Sequence, residues 1–366
     1  MRSIFFYISG HGFGHASRQI EVINALDAIA PEVRIHVRTS APRWLFDRTA
    51  SAALELGEVE CDTGVVQIDG LRLDARSTIE RAAAFYERLD DRASSEADTL
   101  RREDAGLVVA DAPPLACEAA ARAKVPSIVI ANFTWDWIYQ GYAEHLAEAP
   151  RLVGTIQDAY SKAAAAWRLP MHGGFETFST IVDVPFVARR SRREPNDVRK
   201  AFNLPMGSPL VLSSFGGLGI RDMDLGQLDC RDEFAVLVTA KEPFNPVPKG
   251  IHVVVESSLY DRGFKYEDFV HAADVVVSKP GYGIISECIA NDTAILYTSR
   301  GRFAEYDVLV REMPRYLRCG FIDQDELFAG RWRRPLQSLQ AAPGPPERPA
   351  TDGADAIARR LLELLQ

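Results

Sequence analysis

The sequence predicts an α/β protein built from two doubly wound domains, and three observations carry that expectation. The chain has 366 residues, too many for one ordinary core and about right for two domains of roughly 100–200 residues each. Short β-branched runs alternate with helix-length amphipathic segments from the first residues onward, the pattern of strand–helix units around a parallel sheet. A proline- and charge-rich stretch from Pro185 to Pro195 interrupts the alternation, which then restarts.

In the first half, strands are expected at Ser3–Ser9, Val33–Val37, Gly106–Ala110, Ser127–Ala131 and Thr180–Val182. Helices are expected between them at Ser17–Ala30, Ile79–Glu103, Leu115–Ala123 and Thr155–Trp167, where apolar residues recur every three or four positions. After the boundary, strands are expected at Leu210–Ser213, Ala235–Thr239, Ile251–Val255, Asp274–Ser278 and Thr293–Tyr297, with helices after Lys265, Gly283 and Ala304. The run Ala341-Ala342-Pro343-Gly344-Pro345-Pro346 breaks regular structure, and a final helix with apolar Ile357, Leu361, Leu362 and Leu365 needs a surface to cover it. The resulting division is a first domain over 1–186, a linker over 187–200, a second domain over 201–340, a Pro-rich linker over 341–353 and a helix over 354–366.

A net charge of −9 argues against nucleic acid as a partner, because gripping phosphate backbones needs a basic field. The one basic run, Arg189-Arg190-Ser191-Arg192-Arg193, reads as a solvated linker face. The 5 cysteines are odd in number and widely spaced, so neither a disulfide framework nor a structural zinc site is indicated, and a reducing compartment fits. The apolar stretch before Gly10 is too short for a signal peptide, and no apolar run approaches the roughly 18 residues of a membrane helix. A cytoplasmic location is therefore expected, with peripheral membrane contact left open.

The segment from Phe5 to Arg18 reads as a buried strand, a glycine-rich turn (Gly10-His11-Gly12-Phe13-Gly14-His15) and a helix start, which places the turn at the ligand-binding edge of a parallel sheet. Its glycines do not match G-x-G-x-x-G, and no acidic residue closes Val33–Val37, so a nicotinamide-dependent dehydrogenase is disfavoured. His15, and after it His11, are candidate bases, since an imidazole takes the proton of an attacking hydroxyl near neutral pH. Hydrogen bonding within the loop is the plainer role for both, and a metal pair lacks an evident third ligand. Gly12 and Gly14 allow a ligand close to the backbone. Asp111 and Asp136 are candidate binders of acceptor hydroxyls and Trp135 a stacking platform, but a helix cap for Asp111 and a core position for Trp135 are equally open.

In the second half, Phe215-Gly216-Gly217 follows a strand as a candidate phosphate cradle. The run from Ser278 to Glu287 joins another strand to a helix, with Lys279, Gly281, Gly283 and Ser286 suited to a diphosphate and Glu287 to ribose hydroxyls. Arg302 and Glu305 follow the next strand and suit the diphosphate and the donor sugar. Three such loops on one sheet edge converge on one crevice. Asp222-Met223-Asp224 matches the D-x-D pattern of metal-dependent transferases but reads as a solvated turn.

Taken in order, Gly10–His15, Asn132-Phe133-Thr134-Trp135-Asp136, Asp183-Val184-Pro185, Phe215-Gly216-Gly217 and Lys279-Pro280-Gly281-Tyr282-Gly283 resemble the glycosyltransferase-like N-terminal region of plant arabinokinases. The second-half run is similar, more distantly, to the donor motif of the peptidoglycan-precursor N-acetylglucosaminyltransferase and of galactolipid synthases. The resemblance implies a GT-B fold of two facing Rossmann-like domains, with a nucleotide-diphosphate-sugar donor, UDP-sugar favoured, in the second. It implies a small-molecule or glycan acceptor in the first, His15 as the base of an inverting transfer, and Glu287 as the ribose ligand. The last helix is expected to pack back on the first domain. The kinase unit of the plant proteins has no counterpart in these residues, so no arabinokinase activity is implied. The expected activity is glycosyl transfer without a metal or other cofactor. The alternatives are a nucleotide-sugar epimerase or hydrolase of the same fold, and a non-catalytic nucleotide-sugar binder.

Overall fold

The computed structural model describes residues 3–147, 149–215, 223–242 and 246–365. Among them, one sheet contains β1 (Ser3–Ile8), β2 (Ile35–Thr39), β3 (Leu54–Glu58), β4 (Ala105–Asp111), β5 (Ser127–Phe133), β6 (Ala165–Gly173) and β7 (Ile181–Asp183) in the order β3-β2-β1-β4-β5-β6-β7. A second contains β8 (Leu210–Ser214), β9 (Ala235–Ala240), β10 (Ile251–Val255), β11 (Val275–Ser278), β12 (Ala294–Tyr297) and β13 (Cys319–Phe321) in the order β10-β9-β8-β11-β12-β13. Every pairing in both sheets is parallel.

Parallel sheets bury both faces, and the strands show it residue by residue. Phe5 and Tyr7 of β1 pack into one core while Ile4, Phe6 and Ile8 pack into the core on the opposite face. In the second sheet, Leu210 and Leu212 of β8 face one core and Val211 the other. The strand order reverses direction between β1 and β4, and between β8 and β11. At such switch points the loops beyond the strand ends splay apart and leave a crevice.

Several boundaries differ from the sequence expectation. Ile79–Glu103 is two helices, Ala75–Tyr86 and Leu89–Arg102, and Phe85, Tyr86 and Leu89 around the break all bury in one core. The alanine-rich end of the expected helix Thr155–Trp167 is instead the start of β6, whose pairing with β5 outweighs alanine's helix preference. The strands β3 and β13 carry no strong β-branched signal and were not expected.

The last helix, Gly353–Leu365, returns to the first sheet as expected. Its Ile357, Ala358 and Leu361 are fully buried in the core that holds Ile4, Ile20 and Val109. The returning chain is fastened by Gly353 N–H donating to the Phe186 carbonyl at 3.0 Å. A Cβ on Gly353 would stand 2.4 Å from the Pro185 carbonyl oxygen, so this crossing requires glycine. No helix among the described residues is long and apolar enough to cross a membrane.

Leu361→Ala removes a fully buried side chain from this contact. A loss of about 2–5 kcal/mol of stability is expected, measured by urea denaturation.

Candidate active site

The carboxyl edges of the two sheets enclose a cleft of about 970 Å³ lined by residues of both. Helix Gly14–Ile29 follows β1 and helix Tyr282–Ala290 follows β11. Their N-termini meet across the cleft floor, where a Cβ on Gly283 would lie 3.7 Å from Gly14 Cα. Both switch points thus open into one space, with backbone N–H groups of two helix starts directed toward it.

On the first side, Asp111 ends β4, pairs with Ile8 at the end of β1, and is fully buried. Positions 15, 18 and 19 share one helix face, and all three side chains turn to this carboxylate. Arg18 Nε donates to Oδ2 at 2.6 Å, Gln19 Nε2 donates to Oδ2 at 2.9 Å, and His15 Nδ1 lies 2.7 Å from Oδ1. Burial alone would raise the Asp111 carboxyl, but Arg18 and His15 override it and hold it well below the usual carboxylate range. An ionised oxygen at 2.7 Å requires the hydrogen on Nδ1, so in the neutral ring the lone pair sits on His15 Nε2. Arg18 Nη2 lies 3.1 Å from the same Nδ1. Two donors do not bond each other, and Arg18 instead directs its hydrogens to Asp111 and to Asn132 Oδ1. His15 lines the cleft.

His11 also lines the cleft but is placed differently. Its Nε2 is 3.2 Å from Gln67 Nε2, an N–H donor that occupies the nitrogen's lone pair. Burial, then His15, Arg300 and Lys279, push His11 down to about 3, so it stays neutral at physiological pH. Its ring presses on Gly64, where φ is +60° and a Cβ would stand 2.6 Å from the imidazole. Gly12 and Gly14 line the cleft.

Two expectations on this side are corrected. Asp111 does not line the cleft, since its oxygens are enclosed by Arg18, Gln19 and His15, and it bonds the His15 ring through Nδ1. Asp136 is 3 % exposed and accepts from Gln157 Nε2 at 3.2 Å, away from the cleft. Trp135 is both core and cleft wall: it is 1 % exposed, stacks on Tyr139 with centroids 5.5 Å apart, and lines the cavity. Its Nε1 donates to Asp62 Oδ2 at 2.8 Å, while Ser9 Oγ donates to Oδ1 at 2.9 Å.

Asp62 is a cleft carboxylate the sequence reading missed, lying in an irregular stretch without a motif. Burial raises it to about 6 against the opposing effects of His15, Ser9 and Trp135.

On the second side, Phe215, Lys279, Gly281, Gly283, Ser286, Glu287 and Glu305 all line the cleft. Gly216, Gly217 and Asp222 lie outside the described residues; Asp224 accepts from the Gly226 N–H and caps a short turn. Ser286 Oγ donates to the Gly283 carbonyl at 2.9 Å. Arg302 is corrected: its side chain is 69 % exposed, pairs with Glu144 and is not part of the cleft wall. The cleft cation on that loop is Arg300, 6 % exposed, whose Nη1 donates to Glu305 Oε1 at 2.9 Å.

The arginine run is corrected as well. Arg189 is not solvated: its Nε donates to Glu287 Oε1 at 2.8 Å, and its Nη1 lies 3.7 Å from Glu267. Arg189 therefore holds Glu287 through one oxygen. Arg193 covers Phe264, with its guanidinium carbon 4.2 Å from the ring centre, while Arg190 and Arg192 are exposed.

Solved structures of similar architecture span nearly the whole chain. The glycosyltransferase VinC, solved with dTDP, superposes with a TM-score of 0.61 at 15% identity over 100% of this chain and 95% of its own. Phytolacca americana UGT2, solved with UDP-2-fluoroglucose and pterostilbene, gives 0.60 at 11% identity over 100% and 94%. The fold is GT-B. No family model matches the chain. L-arabinokinase of Arabidopsis thaliana is 31% identical over 333 residues, 89% of this chain. The chain spans 31% of that relative's length. The resemblance drawn from the ordered motifs thus extends along most of the sequence.

The raised Asp62 makes a stability prediction. Its contribution is fully present below the unfolded-state value near 4 and is lost as pH rises through about 6. Wild-type stability is expected to fall by about 2 kcal/mol from this group between pH 4 and 7. Chemical denaturation across that window should show the fall in the wild type and a flatter profile in Asp62→Asn.

Proposed function

We propose that the protein transfers a glycosyl group from a nucleotide-diphosphate-sugar, UDP-sugar in the first instance, to a hydroxyl of a small-molecule or glycan acceptor. The observation that carries this reading is the facing pair in one cleft: His15 Nε2, freed by the Asp111 bond on Nδ1, opposite the cations Lys279 and Arg300. A base on one wall and cations on the other suit direct displacement at an anomeric carbon.

In that displacement His15 Nε2 takes the acceptor hydroxyl's proton as its oxygen bonds to the anomeric carbon. The bond from that carbon to the diphosphate oxygen breaks, and the electron pair leaves with the diphosphate. Lys279, Arg300 and the N–H groups at the start of helix Tyr282–Ala290 meet the charge that develops there. Attack opposite the leaving group inverts the anomeric centre. These protein cations supply the charge stabilisation a metal provides elsewhere, so the reaction as written needs none. Glu287, anchored on Arg189 through Oε1, keeps Oε2 for the ribose. Asp62 is suited to hold a neighbouring acceptor hydroxyl beside His15. Five free thiols suit a reducing compartment, and we place the reaction in the cytoplasm.

His15→Ala is expected to lower transfer from UDP-sugar by about 10²–10⁴-fold while leaving the UDP-induced rise in melting temperature intact. Wild-type-like turnover in the variant contradicts the assigned base. Absence of a thermal shift with every nucleoside diphosphate and sugar nucleotide contradicts the donor site itself.

A further inference from the structure

The second wall of the cleft holds the side chains of Lys279 and Arg300 beside the carboxylate of Glu305. Arg300 is committed to that carboxylate, with Nη1 donating to Glu305 Oε1 at 2.9 Å and the guanidinium carbon 3.6 Å above the Phe303 ring. Lys279 follows β11, lines the cleft, and makes no hydrogen bond or ion pair among the described residues. A mostly buried ammonium with no partner is costly, and the amine form avoids that cost while the cleft is empty.

The surroundings agree. Burial, then Arg300, push Lys279 down to about 7, with Glu305 opposing. Across the cleft stands His11, neutral for the reasons given above, with His15 beyond it. Tyr282, from the helix that follows Lys279, is raised well above its ordinary value by burial and Glu305. Between pH 7 and 9, neither His11 nor Tyr282 changes charge.

We infer that Lys279 is a proton-loading residue: it takes up a proton from solvent when a nucleoside diphosphate enters the cleft, and releases it when the diphosphate departs. The inference rests on the donor reading above and adds to it the protonation state in which the donor is met. A diphosphate beside Lys279 supplies the missing anion, and an opposite charge at contact distance favours the ammonium. The step is a protonation alone, amine plus solvent proton giving ammonium, with no other bond made or broken. The ammonium then faces the leaving diphosphate, while the acceptor's proton goes separately to His15. An uncharged nucleoside supplies no anion and drives no uptake.

Isothermal titration of the full chain with UDP in Tris and in Hepes, buffers of different ionisation enthalpy, counts the protons exchanged. At pH 8 the free UDP phosphate is already ionised. An uptake close to one proton per UDP is expected there, falling to about half at pH 7. Above pH 8 the UDP Kd is expected to rise about tenfold per pH unit. Lys279→Arg supplies a fixed cation, so it should bind UDP with no uptake and a flat pH profile over the same range. Lys279→Met should lose both the uptake and at least about tenfold in affinity. Uridine should bind without uptake.

UDP binding with a buffer-independent enthalpy in the wild type, or uptake that persists in Lys279→Arg, overturns the inference and leaves the donor site standing. Failure of UDP to bind the wild type overturns both.

Discussion

A carboxylate fully buried at the end of the central strand of a parallel sheet imposes conditions on everything near it. Asp111 stays ionised only because a guanidinium, an amide and an imidazole are brought to it, and all three come from the first two turns of one helix. Loss of that carboxylate would leave Arg18 buried without its main partner, the kind of uncompensated charge that costs about 3–5 kcal/mol. The same interaction therefore fixes the helix on the sheet, the approach of the glycine loop to the cleft, and the tautomer of His15. Structural necessity and chemical orientation coincide in one group.

The second requirement is that two sheets present their carboxyl edges to each other. The chain meets it by crossing twice. After β7 it runs into the second sheet past Phe186 and Arg189, and it returns along the same path through Gly353 to bury Ile357 and Leu361 in the first. Smaller contacts join the two around the cleft. Leu71, in the turn of the short hairpin formed by Val66–Gln67 and Leu73–Asp74, packs in the core of the second sheet. Phe303, from the second unit, packs in the core of the first. Arg48 and Asp261 add an exposed ion pair at 2.5 Å, of little weight for stability on its own.

Much of this was legible in the sequence, for identifiable reasons. The buried strands β1, β4, β8 and β11 are largely apolar runs that end in aspartate or meet glycine or proline within two residues, and β5 is a run rich in β-branched residues, so the loops carrying His15 and Lys279 could be placed by pattern. The final helix declared its apolar face. What pattern missed depends on burial across distance. Asp62 becomes a cleft carboxylate only because Ser9 and Trp135, 53 and 73 residues away, enclose it. Arg189 looked like one of four exposed arginines until Glu287 and Glu267 drew it inward. Arg300 and Arg302 flank one glycine, and only the fold decides which points into the cleft.

The central claim is that a nucleoside diphosphate lies across the cleft between the loop at Gly10–His15 and the loop at Lys279–Gly283. A crystal structure of the protein with UDP tests it most directly. The account predicts the diphosphate at the start of helix Tyr282–Ala290, with a terminal phosphate oxygen in hydrogen-bonding distance of Lys279 Nζ and His15 Nε2 facing the open space beyond it. A diphosphate seated elsewhere, or one that leaves Lys279 without contact, contradicts it.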